Sequence, residues 1–182
     1  MTTPQQSALR WLPTFLGFPL GGLAAELIAG PVDTLLATLA GGAITGAVLG
    51  AVQGWGLRLR APDARNWVIA TALGLSAGLA VGASAVGFGT STGDLVVQGA
   101  FCGLAVGAAQ SVVLRGVLGR SAALWPPALG AAWALGWAIT SSIGVDVETQ
   151  YTVFGSSGAL AVTALTVVLP LRLAGRPEER RT

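Results

Sequence analysis

Four polar side chains within long apolar stretches are the residues that could do chemistry: Glu26, Gln53, Gln98 and Gln110. A carboxylate inside a membrane is costly, so Glu26 suggests a proton or cation relay. The three amides suggest a polar path or hydrogen bonds between helices. The structural alternative places Glu26 near headgroup water, and uses the amides only to hold neighbouring helices together.

Most catalytic and metal-binding side chains are missing. The chain has no His, and Cys102 is its only thiol. A Ser-His-Asp or Cys-His arrangement is therefore impossible, and the usual ligands of haem, zinc and iron-sulfur clusters are absent. No two acids stand at ligand spacing within an apolar segment. We predict no cofactor, no metal site, no catalytic residue and no enzymatic activity.

The composition is that of a membrane protein. Of the 182 residues, 53% are hydrophobic and only 10% are charged, and the mean hydropathy is +0.71. Soluble domains carry about a quarter of charged residues. All ten basic residues are Arg, balanced by eight acids. This small positive excess forms no basic face, so we exclude nucleic acid as a partner. The apolar composition predicts the lipid bilayer as the main partner.

The charged residues divide the chain into apolar intervals, each long enough for one transmembrane helix. About 20 residues cross the hydrocarbon core, where the backbone must be hydrogen-bonded within helices. The sequence thus predicts an all-α integral membrane protein with six spans, near 11–30, 33–57, 67–89, 95–115, 122–144 and 151–172.

The arginines predict the orientation, because short cytoplasmic loops retain positive charge. In a six-span arrangement every Arg falls on one side, and most acids fall on the other. We therefore predict a bacterial inner (plasma) membrane protein with both termini in the cytoplasm. The acids Asp33, Asp94, Asp146 and Glu148 are predicted at the outer helix ends, where they would favour helix starts.

A Leu-Arg pair recurs every 57 residues, at Arg58, Arg115 and Arg172. Residues 42–58 match 99–115 at eight positions, including Gln53 with Gln110, whereas Val167 replaces the third Gln. This predicts three parallel helical hairpins around a pseudo-threefold axis. The predicted segments are a cytoplasmic stretch 1–10, a membrane domain 11–172 with hairpins 11–58, 67–115 and 125–172, and a charged cytoplasmic tail 173–182.

Each hairpin has aromatic and basic residues where an inner interface would lie. Trp11, Trp67 and Trp125 begin the odd spans, and an indole is suited to straddling the interface. Arg58, Arg115 and Arg172 end the even spans and are predicted to anchor the same face. An alternative groups these three arginines with Gln53 and Gln110 in a polar vestibule that holds a phosphate or a lipid headgroup.

Small residues recur at every fourth position along the spans, as in Gly42, Gly46, Gly50 and Gly54. Such stripes allow helix backbones to approach closely in lipid. We interpret them as packing surfaces within the chain. The alternatives are a sliding surface in a gate and a contact between copies of the chain.

The pattern Gly-x3-Gly-x2-Gln-x3-Leu-Arg followed by an Arg-containing loop and a Trp occurs twice, in Gly46 to Trp67 and in Gly103 to Trp125. It resembles small multi-pass bacterial membrane proteins whose activities are not established. The resemblance covers most of the chain, is lost in the third copy, and implies no activity or site residue.

Two functions remain open at this point. The first is a non-enzymatic membrane scaffold or accessory subunit with a membrane-protein partner or a second copy of itself. The alternative is a small transporter or channel, which needs Glu26 and the three glutamines to face the repeat axis.

Overall fold

The computed structural model describes residues 3–31, 33–143 and 153–174. Within these ranges the chain is helical and has no strand, which confirms the predicted all-α class. The α-helices are α1 Pro4–Trp11, α2 Gly17–Ala29, α3 Leu35–Gly56, α4 Ala61–Ala85, α5 Thr92–Leu118, α6 Trp125–Ser142, α7 Ser156–Leu165 and α8 Val168–Ala174. Two 3₁₀ segments, Leu12–Leu16 and Gly119–Leu124, join α1 to α2 and α5 to α6.

Five helical segments of the described chain are long and apolar enough to cross a membrane. They are Pro4–Ala29, Leu35–Gly56, Ala61–Ala85, Thr92–Ser142 and Ser156–Leu173. The positions of the predicted spans overlap with them, although the predicted count is six. The difference arises in Thr92–Ser142, whose 51 residues include both α5 and α6.

α5 and α6 lie antiparallel against each other. Gly99 near the start of α5 faces Trp133 of α6, and Gly107 farther along α5 faces Pro126 at the start of α6. The chain reverses at Gly119, whose φ of 57° is in the left-handed region that a residue without Cβ adopts readily. The longest helical segment is therefore a hairpin.

Prolines and caps explain several helix boundaries. Pro170 has no N–H to donate to the carbonyl of Thr166, and the α-helix is interrupted there, between α7 and α8. At the other end of the bundle, the Ser91 hydroxyl accepts from the Asp94 N–H at 3.2 Å, and the Asp94 carboxylate accepts from the Ser91 N–H at 3.2 Å. This capping box begins α5, as expected for Asp94.

The helices form a closed ring in which each long helix packs on the next one along the chain. The ring closes where α7 packs on Leu12–Leu16 and α8 packs on α1. Successive contacts are antiparallel: Gly17 of α2 faces Leu49 of α3, and Gly21 faces Thr45. The first and last parts of the chain are thus neighbours.

Glycines bring the helix backbones into direct contact. A Cβ added to Gly46 would lie 2.6 Å from Ala72 Cα, and one added to Gly74 would lie 2.7 Å from Val106 Cα. Both distances are too short for real atoms, so α3, α4 and α5 could not pack this closely with larger residues. By contrast, Gly54 and Gly116 have ample space.

The outer surface of the ring is apolar. Leu27 is 78% exposed and Leu36 is 77% exposed, and large hydrophobic side chains are exposed on every long helix. In water, apolar area of this extent would favour aggregation. Together with the apolar segments, this surface suggests a membrane protein.

The basic residues of the described chain gather at one end of the ring. The antiparallel order places the last turns of α3 and α5 beside the first turns of α4 and α6, which carry Arg65 and follow Arg120. Asp33 and Asp94 lie at the opposite end. Asp146, Glu148 and most of the predicted tail, including Arg176, Arg180 and Arg181, lie outside the described residues.

Candidate functional site: the buried indole-glutamine network

The three tryptophans that are predicted to begin the odd spans are buried in the ring. Trp11 and Trp67 are each 1% exposed, and Trp125 is 8% exposed. The sequence predicts indoles that straddle a lipid interface. The structure instead packs the rings against protein, because each indole N–H has a partner on a neighbouring helix. Their position at the depth of a membrane interface stays a prediction.

Two of these indoles bind the repeated glutamines. The Trp67 Nε1–H donates to Gln53 Oε1 at 3.2 Å, and the Trp125 Nε1–H donates to Gln110 Oε1 at 2.8 Å. The Gln110 amide in turn donates to Thr71 Oγ1 at 2.9 Å and lies 3.5 Å from Gln53 Oε1. These hydrogen bonds link α3, α4, α5 and α6 inside the ring.

The third indole connects the two ends of the chain. The Trp11 Nε1–H donates to the Thr163 carbonyl at 2.9 Å and to Thr166 Oγ1 at 3.3 Å. Thr166 precedes Val167, the residue that stands where a third glutamine would be. Sequence reasoning missed Thr166, although a hydroxyl one position from the expected amide was a usable signal. We call the residues of these bonds the indole-glutamine network: Trp11, Gln53, Trp67, Thr71, Gln110, Trp125, Thr163 and Thr166.

A cluster of four aromatic side chains fills the interior of the helical ring beside the network. Phe18 lies 5.5 Å from Trp133 and 5.0 Å from Phe154, measured between ring centroids, and Trp137 lies 6.1 Å from Phe154. All four rings are almost fully buried. Edge contacts of this kind stabilise aromatic pairs beyond the burial of their area.

Little space is left at the centre of the helical ring, between the network and the aromatic cluster. A void of about 10 Å³ is enclosed by side chains from all the long helices, among them Trp11, Gln53, Gln110 and Trp133. A void of this size holds about one water molecule. The centre of the ring is therefore filled by side chains.

The four predicted polar residues are not brought to one place. Gln53 and Gln110 meet inside the ring. Gln98 is buried twelve residues before Gln110 on α5, about 18 Å away from it along the helix. Glu26 is exposed on the outer surface of α2, next to the exposed Leu27 and Ile28. Glu26 therefore faces away from the interior of the ring.

The structure separates one member of the predicted vestibule from its arginines. Arg58, Arg115 and Arg172 are exposed at the basic end of the ring, while the Gln110 side chain is buried inside it. The vestibule itself stays a prediction. The role of the three arginines as interface anchors also stays a prediction.

In the described ranges, no three His, Cys, Asp or Glu side chains lie close enough to hold a metal ion. Cys102 is buried on α5, and its Cα lies against Gly78 of α4.

Comparison of the chain with family models, with curated proteins and with solved structures finds no match.

Proposed function

We propose that this protein is a non-enzymatic multi-pass scaffold or accessory subunit of the bacterial inner membrane. In this proposal six helical segments cross the bilayer as three hairpin repeats, with both termini in the cytoplasm. The antiparallel pairing of α5 and α6 supports the count of six, since it divides Thr92–Ser142 into two crossings of ordinary length.

The filled axis is the observation that carries the proposal. A transporter or channel needs a polar route through its centre, with groups that ions or solutes can bind and leave. Here the glutamines on the axis are already bonded to Trp67, Trp125 and Thr71. The aromatic cluster of Phe18, Trp133, Trp137 and Phe154 fills the ring beside them. These contacts favour a rigid structural element over a pore.

The hairpin repeat is supported by the network. Trp67 bonds to α3, Trp125 bonds to α5, and Trp11 bonds to the α7–α8 segment, so each odd span is attached to the preceding even span around the ring. Close contacts at glycines such as Gly46 and Gly74 fit a packing role for the small-residue stripes. A smooth, rigid bundle of this kind is suited to presenting an apolar side to a larger membrane complex.

Reconstitution tests the absence of a pore. Proteoliposomes loaded with a fluorescent ion indicator should show the same flux as protein-free liposomes of equal lipid composition. Flux above that baseline that is lost on Gln110→Leu would contradict the proposal, because it would show a working route through the axis.

Purification tests the role as a subunit. A tagged full chain extracted in a mild detergent should retain one membrane partner at fixed stoichiometry, and a harsh detergent should remove it. A monodisperse homo-oligomer without a partner under mild conditions would contradict the assignment as an accessory subunit.

A further inference from the structure

An open cleft of about 580 Å³ lies at the basic end of the ring, between α1, α3 and α4. Three arginines line it, Arg10, Arg58 and Arg65, and none of the described lining residues is acidic. Ala51 on α3 and Val68 on α4 form an apolar part of its wall. The cleft thus combines three positively charged residues with an apolar wall.

Arg10 is held in place at one wall of the cleft. Its Nη2 donates to the Trp55 carbonyl at 3.3 Å, and its Cζ lies 5.0 Å from the centroid of the Trp55 ring. Its Nε is buried and has no hydrogen-bond partner in the described part of the chain. The guanidinium is therefore positioned before any ligand arrives.

Arg58 has an unusual backbone for its residue type. α3 ends with the Leu59 N–H donating to the Gly54 carbonyl at 3.1 Å and the Arg58 N–H donating to the Trp55 carbonyl at 3.1 Å. This ending places Arg58 at a φ of 55°, a position that glycine normally occupies and that Gly119 occupies after α5. Since a Cβ disfavours this conformation, what Arg58 adds over glycine is its side chain.

We propose that this cleft binds the phosphate group of an anionic phospholipid. Guanidinium groups bind phosphate oxygens through paired, charge-assisted hydrogen bonds, and three of them in one cleft repel one another until an anion is present. The apolar wall at Ala51 and Val68 would take the start of an acyl chain. This wall favours a lipid over free phosphate, which needs no apolar contact.

The inference rests on the proposed membrane placement, because lipid headgroups lie where the basic helix ends would meet the interface. Its test is nevertheless separate from the topology. Lipid binding to purified protein depends on the cleft alone, whereas the number of crossings is measured in cells.

Native mass spectrometry of the full chain in a mild detergent tests the proposal. We expect phosphatidylglycerol to bind at least about ten times more tightly than phosphatidylcholine, since several guanidiniums each favour an anionic headgroup. Arg58→Gly and Arg65→Gln should each weaken binding of phosphatidylglycerol about five-fold. Arg58→Gly should also fold at least as well as the parent chain, because glycine suits the left-handed position.

Arg115→Gln is the matched control, because Arg115 ends a Leu-Arg pair in the same way but does not line the cleft. It should leave lipid binding unchanged, and inorganic phosphate at millimolar concentration should not displace the lipid. Equal weakening by Arg115→Gln would overturn the proposal, since any surface arginine would then suffice. Displacement by phosphate, with equal affinity for both lipids, would overturn the lipid assignment and identify a free-phosphate site.

Discussion

Gln110 bonds to three other side chains of the indole-glutamine network, those of Trp125, Thr71 and Gln53. Its carbonyl oxygen accepts from Trp125 and its amide donates to Thr71, and it is 1% exposed. Gln53 is only partly buried, and its bonds are longer at 3.2 Å and 3.5 Å. The two glutamines occupy equivalent positions in the sequence, yet the structure gives them unequal weight.

Gln110→Leu should therefore destabilise the protein more than Gln53→Leu. Leaving the Trp125 N–H unpaired, and removing the hydrogen bond that the Thr71 hydroxyl accepts, should lower the free energy of unfolding by about 1–3 kcal/mol. Gln53→Leu should lower it by less than about 1 kcal/mol, within the range of hydrogen bonds between membrane helices. Unfolding of both variants in mixed detergent micelles measures the difference.

A Trp125→Phe background is the control for this prediction. Because Phe has no N–H to leave unpaired, Gln110→Leu should cost less there than in the parent chain. Equal cost in both backgrounds would show that the Trp125 to Gln110 bond contributes nothing.

At the scale of elements, the contact between α3 and α4 depends on individual glycines. Gly46 lies against the α4 backbone. Gly54 lies two turns later on the same helix, and a Cβ added there would be 3.9 Å from its nearest neighbour, the Ala64 Cβ. The two glycines belong to one stripe in the sequence. Only the packed structure distinguishes the one in contact from the one with room.

Gly46→Ala and Gly54→Ala should change stability in opposite directions. Alanine is favoured over glycine in a helix by about 1 kcal/mol, so Gly54→Ala should stabilise the protein slightly. Gly46→Ala must push α3 away from Ala72, and overpacking of this kind costs about 1–3 kcal/mol. Thermal unfolding in detergent reports both, and equal shifts of the same sign would mean that α3 and α4 are not in close contact at Gly46.

At the scale of the molecule, the ring closes between its two ends. Trp11 bonds to the segment Thr163 to Thr166, which lies more than 150 positions later in the chain. Phe18 also packs on Phe154 where the first and last parts of the chain meet. The first and last spans thus complete a core that neither could form alone.

Cysteine labelling tests the number of crossings. In a Cys102→Ala background, Thr92→Cys and Ile143→Cys should react with a membrane-impermeant maleimide added to intact cells, since both lie at the outer end in a six-span arrangement. Ser121→Cys, in the turn between α5 and α6, should react only after the membrane is opened. Reaction of Ser121→Cys in intact cells, or protection of Ile143→Cys, would contradict a hairpin that crosses twice.

Composition and spacing along the chain were sufficient to predict the features that depend on nearby residues. Apolar length predicted the helices, and Pro170 and the Ser91-Asp94 pair account for breaks and starts, because backbone hydrogen bonding and caps are decided within a few residues. The missing His and the single Cys102 limited the available chemistry in the same way, since residue types need no fold to be counted.

The direction in which the side chains face follows from helix packing, and the sequence did not predict it. Trp11, Trp67 and Trp125 lie inside because partners on neighbouring helices accept their N–H groups, and Glu26 lies outside although it is the most polar residue of its span. In a span that is hydrophobic all round, periodicity does not mark the buried side, since lipid and protein interior are similarly apolar. The cleft of Arg10, Arg58 and Arg65 was hidden for the same reason: its residues meet only when three helices pack.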